Sequence, residues 1–343
     1  MNTICWGILG CGDVTEHKSG PALMQAAGSS VVAVMRRDGA KAADFARRHG
    51  VPRWYDDADA LLADPEVNAV YIATPPNSHL DLTRRAALAG KRILVEKPMA
   101  RTVAECDSMI AACEAAGVPL HVAYYRRFYP KFLAAKRLID SGGIGRPVSV
   151  TLQMAKPKSA APVDPLPWRL RPEISGGGLF MDTGVHRLDI ILYLLGDMTD
   201  ICGQTANLSG AAPAEDSVAF AFRLEDSGAL GTVTCHFGLS PIGRDRLEII
   251  GTDAVLLFDS FDAPFFTVQR SDGSVEMHRY PDPTPVHLPL VEALVRVYQG
   301  ESIPHVTGQE GRKTNAIVAQ VMGSRNGGGL GQDMTDASGS VGG

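Results

Sequence analysis

Residues 93–98 of this 343-residue chain, ILVEKP, end an apolar run on Glu96, Lys97 and Pro98. A lysine in that place is either a solvated strand end, its commonest use, or an ammonium held over a site. Residues 175–196, SGGGLFMDTGVHRLDIILYLLG, favour the second use. On a 100° wheel Asp182, His186 and Asp189 share one stripe. Val185, Leu188, Ile191, Leu192 and Leu195 fall on another, which predicts a core face. Taken alone, Asp-x3-His is ordinarily a surface pair. An ammonium, a carboxylate and an imidazole together can orient a hydroxyl and take its proton, because the intrinsic pKa of histidine lies near working pH.

A second kind of chemistry is written in GILGCGDVT, residues 7–15. Gly10 allows a tight turn, and Gly12 lets backbone approach a pyrophosphate at the positive end of a helix. Thr15 replaces the third glycine of the usual fingerprint. The position after a strand and before a helix favours a nucleotide loop over a plain turn. An acidic residue about 20 positions on would hydrogen-bond the ribose of NAD. Here stand Met35, Arg36, Arg37 and Asp38, with Arg36 where the acid is expected. A guanidinium grips a 2′-phosphate by paired hydrogen bonds. The expected cofactor is therefore NADP, with Arg36 and Arg37 at the phosphate and NAD second. In the alternative both arginines are solvated and Asp38 holds the ribose of NAD. Asp13 and Val14 follow the glycines, and ATPPNSH (73–79) adds Thr74, Pro75, Asn77 and His79. With Glu96 and Lys97 these complete the expected cofactor contacts. Asn77 and Ser78 could equally be turn and N-cap residues.

The elements that would position these groups follow from hydrophobic pattern. TICWGILG, SSVVAVMRR, AVYIAT, RILVE and PLHVAYY are strand-like runs separated by alanine-rich helical segments. Such alternation predicts a doubly wound parallel sheet. Past residue 145 the pattern turns to strands joined by EDSG and RSDGS hairpin signals. The fold expected is α/β: a Rossmann domain over 1–122, then a domain over 123–322 with a large, open, mostly antiparallel sheet. The glycine-rich stretch 323–343 is too poor in large apolar residues to order itself, and disorder is expected there.

Composition excludes other classes. Net charge is −5 and no long basic stripe suggests nucleic acid. The six cysteines include no CxxC pair and no zinc spacing, so no metal is expected. They read as reduced thiols of a cytoplasmic protein. No export signal is visible, and no apolar stretch reaches the roughly 18 residues of a membrane span.

GILGCGDV, ATPPNSH, VEKPMA, YYRRFYP (124–130), PWRLRPEISGGG (167–178) and MDTGVHRLD (181–189) together resemble the Gfo/Idh/MocA oxidoreductases, over about residues 3–320. The resemblance implies NAD(P)-linked redox chemistry on sugars, polyols or related cyclic alcohols. It also implies homodimers or homotetramers built through the second sheet. Catalytic roles map onto Lys97, Asp182 and His186: Lys97 orients the substrate hydroxyl, His186 is the base, and Asp182 orients it or binds a neighbouring hydroxyl. Hydride would pass between the carbinol carbon and C4 of the nicotinamide. Tyr124, Arg126, Trp168, Arg169, His186 and His236 are substrate candidates, since sugar sites pair aromatic faces with hydrogen-bond donors. Two positions depart from the family pattern: Tyr125 stands for the asparagine before RRF, and Ala254 for the glycine after GTD. A nicotinamide-dependent glycosidase and a non-catalytic NADP sensor are the competing readings; the sensor has no need of Lys97, Asp182 and His186 together.

Overall fold

The computed structural model describes residues 3–157 and 165–323. Its first sheet holds six parallel strands: β1 (Ile4–Leu9), β2 (Ser29–Met35), β3 (Arg53–Tyr55), β4 (Ala69–Ile72), β5 (Arg92–Val95) and β6 (Leu120–Val122). The order β3-β2-β1-β4-β5-β6 is the doubly wound one, with its topological switch between β1 and β4. β4 and β5 are almost wholly apolar because helices cover both faces. Asp57 and Thr102 cap two of those helices by accepting from Ala60 N and Glu105 N.

The second sheet has eight strands: β7 (Pro147–Pro157), β8 (Met198–Ala206), β9 (Ser217–Leu224), β10 (Leu230–Ser240), β11 (Arg244–Gly251), β12 (Ala254–Phe258), β13 (Phe265–Arg270) and β14 (Val275–Arg279). Their order is β14-β13-β12-β11-β7-β10-β9-β8, antiparallel except for β7 with β10. EDSG joins β9 to β10 and RSDGS joins β13 to β14, as expected from the turn residues. Helices Pro130–Asp140 and Val185–Leu195 lie on one face. Phe132 meets the rings of Phe258 and Phe261 there, and Arg187 pairs with Asp245 of β11. The opposite face presents Thr151, Gln153, Thr232 and Thr234.

The chain then returns to the first sheet. Val122 N donates to Val306 O (3.0 Å), and His121 bridges to Thr307, so a short antiparallel segment covers β6. Helix Gly308–Gly323 packs on β6, on helix Val103–Ala116 and on β8. Hydrophobic pattern alone did not disclose this return. The glycine-rich stretch expected to be disordered lies, from residue 324 on, outside the described residues.

Candidate active site

Lys97 follows β5 at the carboxyl edge of the parallel sheet, where ligands of such sheets bind. Its Nζ donates to Asp182 Oδ1 and to the Asp182 main-chain oxygen, both at 2.9 Å. The lysine thus ties the first sheet to the segment that covers the second. Asp182 lies in a π turn, Phe180–Gly184, that leads into helix Val185–Leu195. The wider turn rotates Asp182 away from the stripe drawn on a regular wheel. Asp189 is not at this site: it is fully buried and held by Arg127 (2.8 Å). Asp182 does not orient His186 either. Its second oxygen accepts from Arg169 Nε at 3.2 Å. Burial opposes ionisation of Asp182, but Lys97, Arg169 and Lys156 outweigh it and hold the carboxyl below its ordinary range.

His186 opens the regular helix and is only 6% exposed. The rings of Tyr125 and Tyr124 meet it edge-on at 5.2 and 6.1 Å. Its Nδ1 is buried without a partner. Burial first, then the charges of Lys97, Arg126, Arg187 and His287, push its pKa well below 6.5. The imidazole is therefore neutral at neutral pH, a lower pKa than the residue type alone suggests.

Behind Lys97, Glu96 accepts from the Tyr71 hydroxyl, from His287 Nε2 (3.3 Å) and from Lys97 N (3.1 Å). Burial opposes its ionisation too. The His287 hydrogen bond and charge, with Lys97 and Tyr71, bring its pKa down to about 2. This is a support at the back of the lysine and not an open cofactor contact. His287 begins helix Leu288–Tyr298, and its ring lies 4.2 Å from that of Tyr125.

The nucleotide side is built on the glycine loop. Gly10 has φ +98°, and a Cβ there would lie 2.8 Å from Thr74 Cγ2. A Cβ on Gly12 would meet nothing nearer than Gly10 O at 4.0 Å, which leaves the loop open to a diphosphate. Beside it is a cavity of about 370 Å³ lined by Cys11, Gly12, Asp13, Glu16, Arg36, Lys41, Asp44, Phe45 and Arg48. These features fit the diphosphate and adenosine ribose of a nicotinamide dinucleotide. Arg36 Nη1 donates to Cys11 O at 3.2 Å, which holds the guanidinium at the rim. Arg48 is engaged by Glu16 and Asp44, and Lys41 by Asp38. Asp38 also caps helix Gly39–His49 by accepting from Lys41 N, so the ribose-binding alternative has to compete with the cap. Arg37 is exposed and does not line the cavity. Val14 lies in the first helix, Asp13–His17. In the ATPPNSH loop Thr74 and Pro75 are half-buried and Asn77 is exposed. His79 does not face a ligand: it is fully buried, with its ring nitrogens 3.0 and 2.8 Å from Met99 O and Thr74 O. It fastens the loop.

The substrate candidates divide. Arg169 lies over the Trp168 ring (4.3 Å) and reaches Asp182. Arg126 pairs with Asp262 (2.7 Å) over the Phe261 ring. Tyr124 is fully buried, and its hydroxyl bonds to Thr314 Oγ1 (2.6 Å), so it backs His186 and does not meet a ligand. His236 pairs with Ser217 (2.8 Å) and alternates with inward-facing Cys235 and Phe237, which puts it on the far face of the sheet. Sequence reasoning missed His287, Asp262 and Lys156. Lys156 had a signal: in VSVTLQMAK it continues the period-2 stripe of Val150, Leu152 and Met154.

Residues 4–124 match an oxidoreductase family with an NAD-binding Rossmann fold, Gfo/Idh/MocA, and residues 132–257 match the Gfo/Idh/MocA C-terminal domain. The chain belongs to the Gfo/Idh/MocA oxidoreductases. It is 35% identical over 321 residues to an oxidoreductase of Formosa agariphila, covering 93% of this chain and 97% of that one. It is 30% identical over 272 residues to scyllo-inositol 2-dehydrogenase (NAD(+)) of Bacillus subtilis, covering 78% and 77%. The solved aldose-aldose oxidoreductase of Caulobacter crescentus, complexed with glycerol, superposes with a TM-score of 0.82 at 27% identity, covering 95% of this chain and 98% of that one. As a Gfo/Idh/MocA member the chain is an NAD(P)-dependent oxidoreductase acting on CH–OH groups. Of the two departures from the family pattern, Tyr125 fills the space between His186 and His287, and Ala254 is a buried first residue of β12. No helix among the described residues is long and apolar enough to cross a membrane.

Proposed function

We propose that this oxidoreductase uses NADP(H) and acts on a carbinol carbon of a sugar, polyol or cyclic diol. The observation that carries the reading is the Lys97–Asp182 pair at the carboxyl edge of the parallel sheet, beside a neutral His186. The bound nicotinamide supplies the hydride acceptor or donor. Lys97, held by two Asp182 oxygens, orients the substrate hydroxyl. His186 Nε2 takes its proton, since Nδ1 is sealed in. Asp182 keeps the ammonium in place, and Arg169 fixes the second Asp182 oxygen. Arg36 supplies the NADP preference, because the other cations of its cavity already face carboxylates. The inositol dehydrogenase and the aldose-aldose oxidoreductase named above support the substrate class.

We further propose a division into a cofactor domain, 1–122, and a substrate domain, 123–322. The helix-free face of the second sheet would join copies of the chain, and the cytoplasm would be its compartment. The test is a fluorescence titration with NADPH and NADH, then a screen of sugars, polyols and cyclic diols for reduction of the preferred nucleotide. Tighter NADPH binding and turnover of one of these alcohols are expected. Binding of neither nucleotide refutes the reading, and release of free sugar without net cofactor turnover would replace it with the glycosidase.

A further inference from the structure

Lys156 is the last residue of β7 in the inward-facing register, and it is itself exposed to solvent. Val150, Leu152 and Met154 precede it on the same face and are buried. Its partner across the sheet, Phe237, also faces inward. The lysine therefore reaches over the end of the sheet toward the π turn that carries Asp182. The charges that act on it are those of Arg187, Asp182, Asp245 and Asp262.

Each of those carboxylates is already engaged by another cation. Asp182 holds Lys97 and Arg169, Asp245 holds Arg187, and Asp262 holds Arg126. Among the described residues Lys156 forms no ion pair with any of them. Five cations (Lys97, Arg126, Lys156, Arg169 and Arg187) thus surround three carboxylates. Glu96 does not redress the balance, because it lies behind Lys97 against Tyr71 and His287. The cleft is short of acceptors as well as of negative charge: Arg126 Nε is buried without a partner. Two pKa directions agree. Burial and then Arg187 hold the Lys156 ammonium below its ordinary value, and burial first, then Lys97, Arg126 and Arg187, depresses His186.

We propose that the substrate is an anionic polyol, and that Lys156, with Arg169 beside it, binds its carboxylate or phosphate group. The inference rests on the dehydrogenase reading above and narrows its substrate class. Lys156 and Arg169 are both open to solvent, so water answers their charges when nothing is bound, and a neutral sugar gains nothing from the cleft's surplus of positive charge. An anionic one supplies charge and acceptor oxygens together, and hydrogen bonds between charged groups are the strong ones. The Arg169 guanidinium gives Nε to Asp182, and among the described residues its remaining N–H groups meet no acceptor and can present a planar fork to such an anion.

The experiment compares three probes of one carbon chain: D-glucitol, D-gluconate and D-glucitol 6-phosphate. Each is titrated by calorimetry into the NADPH-loaded wild type, Lys156→Met and Lys156→Glu. In the wild type an anionic probe should bind about tenfold or more tighter than glucitol, the scale of one charge-assisted hydrogen bond. Preference for gluconate assigns a carboxylate, and preference for the phosphate ester assigns a phosphate. Lys156→Met should bring the ratio to within about threefold of one, and Lys156→Glu should reverse it. Equal binding of glucitol, absence of binding by both anions, or a ratio unmoved by both substitutions overturns the proposal. NADPH titration of each variant reports its folding. Absence of both NADPH and NADH binding in the wild type would instead refute the dehydrogenase reading itself.

Discussion

Replacing Arg36 separates a grip on phosphate from general support of the loop. The guanidinium stands at the end of β2, where Arg36 N donates to Tyr55 O (3.2 Å) and Nη1 to Cys11 O (3.2 Å). No carboxylate pairs with it among the described residues, whereas in the same cavity Arg48 has two and Lys41 has one. A hydrogen bond to a charged group contributes about 1.5–3 kcal/mol, or roughly 10- to 150-fold in affinity. Arg36→Ala should therefore raise the NADPH dissociation constant by about 10- to 150-fold and leave NADH within about threefold. Arg36→Asp should go further and invert the preference, since a carboxylate repels the 2′-phosphate and accepts from the ribose hydroxyl of NADH. Fluorescence of the bound reduced nucleotide reads both constants. Asp38→Ala is the companion variant. It should cost about 1 kcal/mol of stability as a lost N-cap and leave NADH affinity unchanged. Equal weakening of NADPH and NADH by Arg36→Ala, or loss of NADH affinity in Asp38→Ala, would refute the reasoning.

Three other outcomes follow from the site. Lys97→Met should lower kcat at least about a hundredfold while NADPH affinity stays within about threefold, and unchanged turnover on an alcohol found by screening would remove the lysine from the chemistry. The acid limb of kcat/KM for alcohol oxidation should lie below pH 6.5, because His186 must be neutral to accept a proton and its pKa is depressed. A limb above about pH 7 that disappears in His186→Asn would contradict this. Glu96→Gln should destabilise the protein by about 3 kcal/mol or more in urea, because it breaks a buried charged cluster. The carboxylate of Glu96 has its pKa lowered on folding from 4.5 to about 2, so its stabilisation is full above 4.5 and is lost as pH falls toward 2. A variant as stable as the wild type at pH 7 would show that the cluster contributes nothing.

The legible parts of the fold were those whose burial leaves a local mark. β1, β2, β4, β5 and β6 are apolar runs because both faces of a parallel sheet are covered, and the EDSG and RSDGS turns announce their hairpins. β3 is three residues long and leaves no period to detect. β8 hides its alternation behind a register shift between Thr199 and Cys202. Helix Gly308–Gly323 has several glycines and little intrinsic preference to be helical, and it forms where it can pack against β6 and helix Val103–Ala116.

The same division runs through the site. Residue type and order determined that a glycine loop follows β1, that Arg36 replaces an acid, and that Lys97 follows β5. These are local facts, set by the strand–turn–helix sequence around each residue. Which groups face one another was decided only in three dimensions. A π turn moved Asp182 onto Lys97 and Arg169, and burial made His186 neutral. Strand alternation sent His236 to the far face of the sheet and brought Lys156 to the near one. Distances between residues remote in sequence, and the dielectric around them, follow from how the two sheets and their helices pack. No local pattern encodes either quantity, so the charges of the cleft became countable only once the chain was folded.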